Sequence, residues 1–318
     1  YIVITSINQP TEAVIKFAKI EGYSLIVVGD KKSSDNFNLD NCQFLSIKDQ
    51  EEMNFFLIKG LPYNHYSRKM IGYLEAIKNG AEAIIDTDDD NIPYEDWSFP
   101  NFEGSFDKIP EERGFINIYK LFTTKKIWPR GLPLNKINKS DKLDEILQNI
   151  KCNVGIWQGL ADEDPDVDAI YRLVDDSPCF FEKRDPVVCS VGSISPFNTQ
   201  NTIIRKELFP LLYLPSTVTF RYTDILRGLI AQPIMWLYGY ELGFTKATVI
   251  QKRNPHDYYK DFLSEIPMFQ TTEQVIDIVK KSISKNDSIE DNLYNSYKAL
   301  YENGIVAKEE LYVLENWL

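Results

Sequence analysis

A chain of 318 residues that is 43% hydrophobic and 13% aromatic can bury a sizeable core, and no segment approaches low complexity, so one large folded domain, or one with an extension, is expected. The formal net charge of −12 argues against nucleic acid or an anionic membrane as a partner, since both demand basic surface. No stretch reaches the roughly 20 apolar residues of a membrane span, and no signal peptide is visible.

In chain order, strands are predicted at residues 1–7, 24–28, 43–47, 82–86 and 115–121, alternating with helices at 11–21 and 66–79. Short apolar strands alternating with amphipathic helices argue for an α/β fold with a mainly parallel sheet covered on both faces. Ligands bind beyond the carboxyl ends of the strands in such sheets. The loop after Ile7, Asp30 and an acidic run from Asp86 to Asp90 all fall at such ends. Further strands are expected at 154–158, 186–192 and 244–250, short helices at 165–173 and 205–213, and a long buried helix at 223–238. The tail reads as two or three helices broken at Lys285-Asn286-Asp287-Ser288 and Asn303-Gly304, with Thr271 and Ser288 as N-caps. Residues 1–262 form one domain in this reading and 263–318 a C-terminal helical extension.

The acidic run carries the strongest chemical signal. Ala83-Ile84-Ile85 reads as a buried strand that ends in Asp86-Thr87-Asp88-Asp89-Asp90-Asn91. Carboxylates packed this closely repel one another, and a hard cation such as Mn²⁺ or Mg²⁺, its shell completed by a diphosphate, is the usual remedy. A solvated acidic loop is the bland alternative. Alternation along an extended segment puts Asp88 and Asp90 on one side as metal ligands and Asp89 on the other, while Asp86 orients the loop or contacts ribose. The preceding helix opens with Arg68 and Lys69, where positive charge opposes the helix dipole unless an anion is held there; a diphosphate is expected.

These segments resemble glycosyltransferases of the GT-A fold, and more closely the STELLO glycosyltransferase family. The resemblance is carried by Thr5-Ser6-Ile7-Asn8-Gln9-Pro10-Thr11, Val27-Val28-Gly29-Asp30-Lys31, Arg68-Lys69-x-x-Gly72-Tyr73, the acidic run and Trp128-Pro129-Arg130-Gly131. It continues through Gly159 to Ala169, Asn198-Thr199-Gln200-Asn201-Thr202 and Arg221 to Gly228. It covers roughly residues 1 to 260; the last fifty or so carry no recognised motif.

The resemblance implies metal-dependent transfer of a sugar from a nucleoside diphosphate donor to a hydroxyl of a glycan or other acceptor, with inversion. UDP is the favoured nucleotide, and no residue excludes GDP. Thr5, Asp30 and Lys31 would form the nucleoside pocket, together with Arg68, Lys69, Asp86 and Asp89 on the nucleotide side. His256 would be a further metal ligand and Asp224, at the start of a helix, the general base. Pro165 is expected to start a helix capped by Asp164, with Asp162 or Asp164 bonding sugar hydroxyls, and Trp128 and Trp157 stacking on sugar rings. Arg130 and Asn201 are expected on the substrate side.

Two alternatives stand beside this reading. One is a UDP-sugar mutase of the reversibly glycosylated polypeptide type; the other is a non-catalytic scaffold for polysaccharide synthesis. Cys179 and Cys189 are close enough in sequence to bridge in an oxidising compartment, whereas Cys42 and Cys152 read as buried thiols. The chain begins at Tyr1 without a methionine, compatible with removal of an N-terminal anchor. The Golgi lumen is expected for eukaryotic relatives and the cytosol for a microbial or viral chain.

Overall fold

A computed structural model describes residues 1–33, 37–139, 142–253 and 257–318. The strands are β1 (Ile2–Thr5), β2 (Leu25–Val28), β3 (Cys42–Leu45), β4 (Ala83–Thr87), β5 (Asn91–Pro93), β6 (Glu103–Ile109), β7 (Gly114–Phe115), β8 (Gln148–Asp162), β9 (Val187–Cys189), β10 (Ser193–Ile194), β11 (Asn201–Arg205) and β12 (Glu241–Gln251). The helices are α1 (Glu12–Phe17), α2 (Ile47–Glu52), α3 (Lys69–Lys78), α4 (Ala169–Val174), α5 (Thr223–Leu237), α6 (Tyr258–Ser282), α7 (Ile289–Glu302) and α8 (Glu309–Trp317).

Among the described residues, ten strands join in the order β3-β2-β1-β4-β11-β8-β6-β9-β12-β5. The first four are mutually parallel; β11 runs antiparallel to both β4 and β8, so the sheet is mixed beyond that point. The result is an α/β GT-A-like fold followed by C-terminal helices.

The period of two along a strand explains how both faces are covered. Ile2, Ile4, Leu25 and Val27 point to the layer that holds Val14 and Phe17 of α1. Val3, Ile26 and Val28 point the other way, to Met70, Ile71 and Tyr73 of α3. Gly72 sets how close α3 approaches the sheet: a Cβ there would lie 2.6 Å from Val3 Cγ1 and 2.7 Å from Val28 Cγ2. That approach brings the start of α3 against the end of β4, which gives the Arg-Lys-x-x-Gly spacing a packing reason.

The C-terminal helices share the α3-side core. Val275, Leu293, Tyr297, Leu314 and Trp317 lie in one apolar cluster with Leu211 and Tyr213. The expected division at 262/263 falls inside α6. Thr271 is not an N-cap: it lies within α6 and bonds back to the Pro267 carbonyl at 2.7 Å, while Asp257 caps the helix. Ser288 caps α7 in a full capping box with Asp291.

Other local expectations also shift. Residues 115–121 are only briefly strand, in β7, and then a 3-10 turn, Ile118–Leu121. The expected helix at 205–213 is a 3-10 segment, Lys206–Leu212, with Pro210 inside, whose missing N–H does not support a regular α-helical ladder. All four cysteines are free. Among the described residues no helix is long and apolar enough to cross a membrane.

Candidate active site at the ends of the parallel strands

The parallel strands β1, β2 and β4 end on a cavity of about 560 Å³, within the usual range for small-molecule sites. Its lining includes Thr5, Asp30 and Arg68 with the acidic turn Asp88, Asp89 and Asp90, and a second group of Arg130, Asp166, Thr199, Phe220, Arg221 and Asp224, joined to the turn by Tyr66, whose hydroxyl meets both Asp88 and Thr199.

The chain turns as soon as β4 ends, the Asn91 N–H donating to the Asp88 carbonyl at 3.3 Å. The turn cancels strand alternation, so Asp89 does not face away: all three acids line the cavity. Asp89 is nevertheless committed to the β1–α1 loop, accepting from the Ser6 hydroxyl and, at 3.0 Å, from Asn8 Nδ2. Asp88 accepts from Tyr66 Oη and Lys69 Nζ, both at 3.1 Å, and keeps 28% of its side chain exposed. Asp90 accepts from Gln251 Nε2 at 3.2 Å, but its Oδ1 is buried with no partner among the described residues. Burial, then the Asp88 charge, pushes the Asp90 carboxyl up to about 7; burial, offset in part by Lys69, pushes Asp88 up to about 6.

Such a buried, unfilled carboxylate oxygen beside a second acid is the donor chemistry a hard cation takes, so Asp88 and Asp90 fit one. Among the described residues, no group of three or more His, Cys, Asp or Glu side chains is placed to hold a metal ion. A cation here would therefore draw further oxygens from a bound ligand. His256 lies outside the described residues.

Behind the turn, Lys69 and Asp86 do not reach the cavity. Asp86 is fully buried between Lys69 Nζ (2.6 Å), Arg227 Nη1 (2.8 Å) and Tyr73 Oη (2.7 Å). Burial disfavours the Lys69 charge, but Asp86 and Asp88 outweigh it and the ammonium is held above its usual range. Lys69 is thus an internal counter-ion rather than a phosphate ligand, and Asp86 anchors the strand end rather than touching ribose. Arg68 differs. Its Nε and Nη2 donate to Gln50 Oε1, it lies 4.4 Å over the Tyr63 ring, and Nη1 is buried without a partner. No carboxylate pairs with it among the described residues.

Asp30 lines the cavity with its carboxylate fixed by the N–H groups of Lys31 (2.7 Å) and His65 (3.2 Å). Lys31 itself turns to the Tyr63 ring, 3.8 Å away, and Lys32 lines the cavity instead. In the second group Arg130 bridges two acids, meeting Asp166 at 2.8 Å through both Nε and Nη2, and Asp224 at 3.0 and 2.9 Å. Burial raises the Asp166 carboxyl, but the Arg130 charge and its bonds pull it below the usual range.

Comparison with known proteins adds the lineage. A family model described as "STELLO glycosyltransferases" matches residues 221–318. "Probable glycosyltransferase STELLO2" of Arabidopsis thaliana is 30% identical over 258 residues, covering 75% of this chain and 34% of that protein. "Probable glycosyltransferase STELLO1" of the same plant is 25% identical over 337 residues, covering 100% of this chain and 44% of that protein. These matches support a STELLO-like glycosyltransferase family for the chain. It spans less than half the length of these curated relatives. The match corrects one expectation: the tail that carried no recognised motif lies within the family's matched segment.

In this STELLO-like fold, five expected substrate contacts lie outside the cavity lining. Trp157 is core, edge-on to Phe106, its indole bonded to the Asn101 carbonyl. Trp128 is buried against Tyr171 and donates to Asp168 at 2.6 Å. Asn201 is tied to Trp97 and Thr248, and Asp162 to Tyr94 and the Phe181 N–H. Asp164 pairs with Arg172, and the helix cap falls to Asp168, because α4 starts at Ala169.

The cavity also uses residues the sequence did not single out. Tyr66, Asp166, Thr199, Phe220, Arg221, Gln251 and Arg253 all line it. Thr199 and Arg221 lie inside motifs that carry the family resemblance, so position within those motifs was the available signal. Tyr66 and Gln251 had none.

Proposed function

We propose that this chain transfers a sugar from a nucleoside diphosphate donor, UDP favoured, to a hydroxyl of a glycan or other acceptor, with Mn²⁺ or Mg²⁺ at Asp88 and Asp90. The observation that carries the reading is the presence, in the lining of one cavity, of an acidic turn whose Asp90 Oδ1 is unfilled and of an Arg68 guanidinium that has no carboxylate partner, both among the described residues. A diphosphate between them satisfies both: its oxygens meet the guanidinium and share the cation with the aspartates.

Thr5 and Asp30 then face the nucleoside, and His256 stays a candidate ligand. The cation, when bound, neutralises charge on the diphosphate. Asp224 faces the acceptor hydroxyl and takes its proton as oxygen bonds to the anomeric carbon and the bond to the diphosphate breaks; in-line attack inverts the centre. Both Asp224 oxygens are already held by Arg130, so proton transfer requires one of those contacts to yield.

Calorimetric titration of UDP and GDP with and without Mn²⁺, on the native chain and on Asp90→Ala, tests the reading. Metal-dependent binding lost in the variant supports it and names the nucleotide. No binding of either nucleotide sinks it and promotes the scaffold; interconversion of sugar ring forms without any acceptor promotes the mutase.

A further inference from the structure

Phe220 and Arg221 of the 3-10 turn Phe220–Tyr222 line the cavity, and this turn and the loop between Tyr213 and it are held from behind by two buried glutamates of the C-terminal helices. Glu310 of α8 accepts from the Ser216 N–H at 3.0 Å on each oxygen and from the Thr217 N–H and hydroxyl at 2.7 and 2.6 Å. It also accepts from the Tyr213 hydroxyl. No cation pairs with it among the described residues. A buried carboxylate without a cation is tolerated only when its lone pairs are filled, and here one loop fills them, so loop shape and helix position are locked together. Glu265 of α6 does the same one turn on: it takes the Arg221 guanidinium at 2.8 Å, and the Thr219 hydroxyl donates to the neighbouring Ser264 carbonyl at 2.6 Å.

What this clamp presents is Phe220. The residue is 58% exposed yet lines the cavity, its ring edge-on to Tyr66 with ring centroids 5.7 Å apart and to His65 at 6.4 Å. Among the described lining residues it is the one Phe or Trp. An apolar ring left uncovered at a site built mostly of polar and charged groups has the right chemistry to meet the C–H face of a pyranose, whose hydroxyls reach the polar groups around it.

We propose that Phe220 is a stacking platform for a pyranose ring of the acceptor, and that Glu310 and Glu265 are its positioning residues, which makes the C-terminal helices part of the acceptor site. The assignment to acceptor follows from Phe220 standing four residues before Asp224, in the 3-10 turn that leads into the Asp224 helix, and it rests on the donor reading above.

Saturation-transfer NMR on the full chain with UDP and Mn²⁺ present tests it, using neutral β-linked disaccharides of glucose, galactose, mannose and xylose as probes. The expected result is contact with at least one disaccharide, about tenfold weaker in Phe220→Ala and retained in Phe220→Trp. Glu310→Gln, or the milder Thr217→Val should the first fold poorly, weakens the same contact while UDP affinity in the folded fraction stays within about twofold, because the donor groups lie elsewhere. UDP binding with no disaccharide contact, contact unchanged in Phe220→Ala, or loss confined to the unfolded fraction of the Glu310 variant overturns the proposal. Failure of the native chain to bind UDP brings down the donor reading, and the platform with it.

Discussion

The two groups of residues that line the cavity both carry carboxylates but neutralise them differently. On the acidic turn, Asp88 shares Lys69 with Asp86, and Asp90 Oδ1 has no partner among the described residues. In the second group, Asp166 and Asp224 divide one guanidinium between them in near-ideal geometry, and Glu265 holds Arg221. A filled carboxylate fixes shape, whereas an unfilled one keeps lone pairs for a ligand. The second group is therefore read as scaffold and platform, the acidic turn as the binding surface.

The largest effect should come from breaking the filled side. Arg130→Met leaves two buried carboxylates uncompensated, and unfolding in urea is expected to show a loss of about 3–5 kcal/mol. Asp90→Ala, by contrast, removes no ion pair among the described residues and should leave the fold intact while metal-dependent UDP binding drops about 100-fold or more in calorimetry. Arg68→Gln tests the anion side of the same pairing; an affinity for UDP about tenfold lower with an unchanged response to nucleotide-free Mn²⁺ is expected.

The smallest effect is a pH dependence of metal-free stability. Asp88 and Asp90 have folded values of about 6 and 7, above the ordinary 3.8, so the native state holds more protons than the unfolded one across that window. Stability should accordingly fall as pH rises from about 4 through 7, measured as urea midpoints in chelator. Asp90→Asn should flatten that slope and stabilise the metal-free protein by ~1–2 kcal/mol at pH 7.5. A steeper slope in the variant, or none in the parent, would equate the two groups and remove the contrast.

The N-terminal half was legible because its signals are local. Continuous apolar runs mark β1, β2 and β4, a terminal glycine marks the end of α3, and acids at a strand end mark the cavity. Strands β6 and β11 were not foreseen: Glu103–Ile109 alternates polar residues with half-buried ones, and Asn201–Arg205 carries a polar pair that is buried only because β4 and β8 flank it. The site suffered in the same way. Asp30, Arg68, Asp88, Asp90, Arg130 and Asp224 do line one cavity, but Trp128, Trp157, Asp162, Asp164 and Asn201 satisfy partners brought by distant strands, and no pattern within a segment announces those partners.

The sequence by itself determined the family resemblance, the α/β order and the place where carboxylates crowd at a strand end, since each depends on residues within one short segment. Only the tertiary structure decided which charges remain available. Lys69 and Asp86 cancel because Gly72 lets α3 lie close against the sheet, Arg130 is consumed by two acids 36 and 94 residues away, and the loop before Phe220 is held by Glu310 from the last helix.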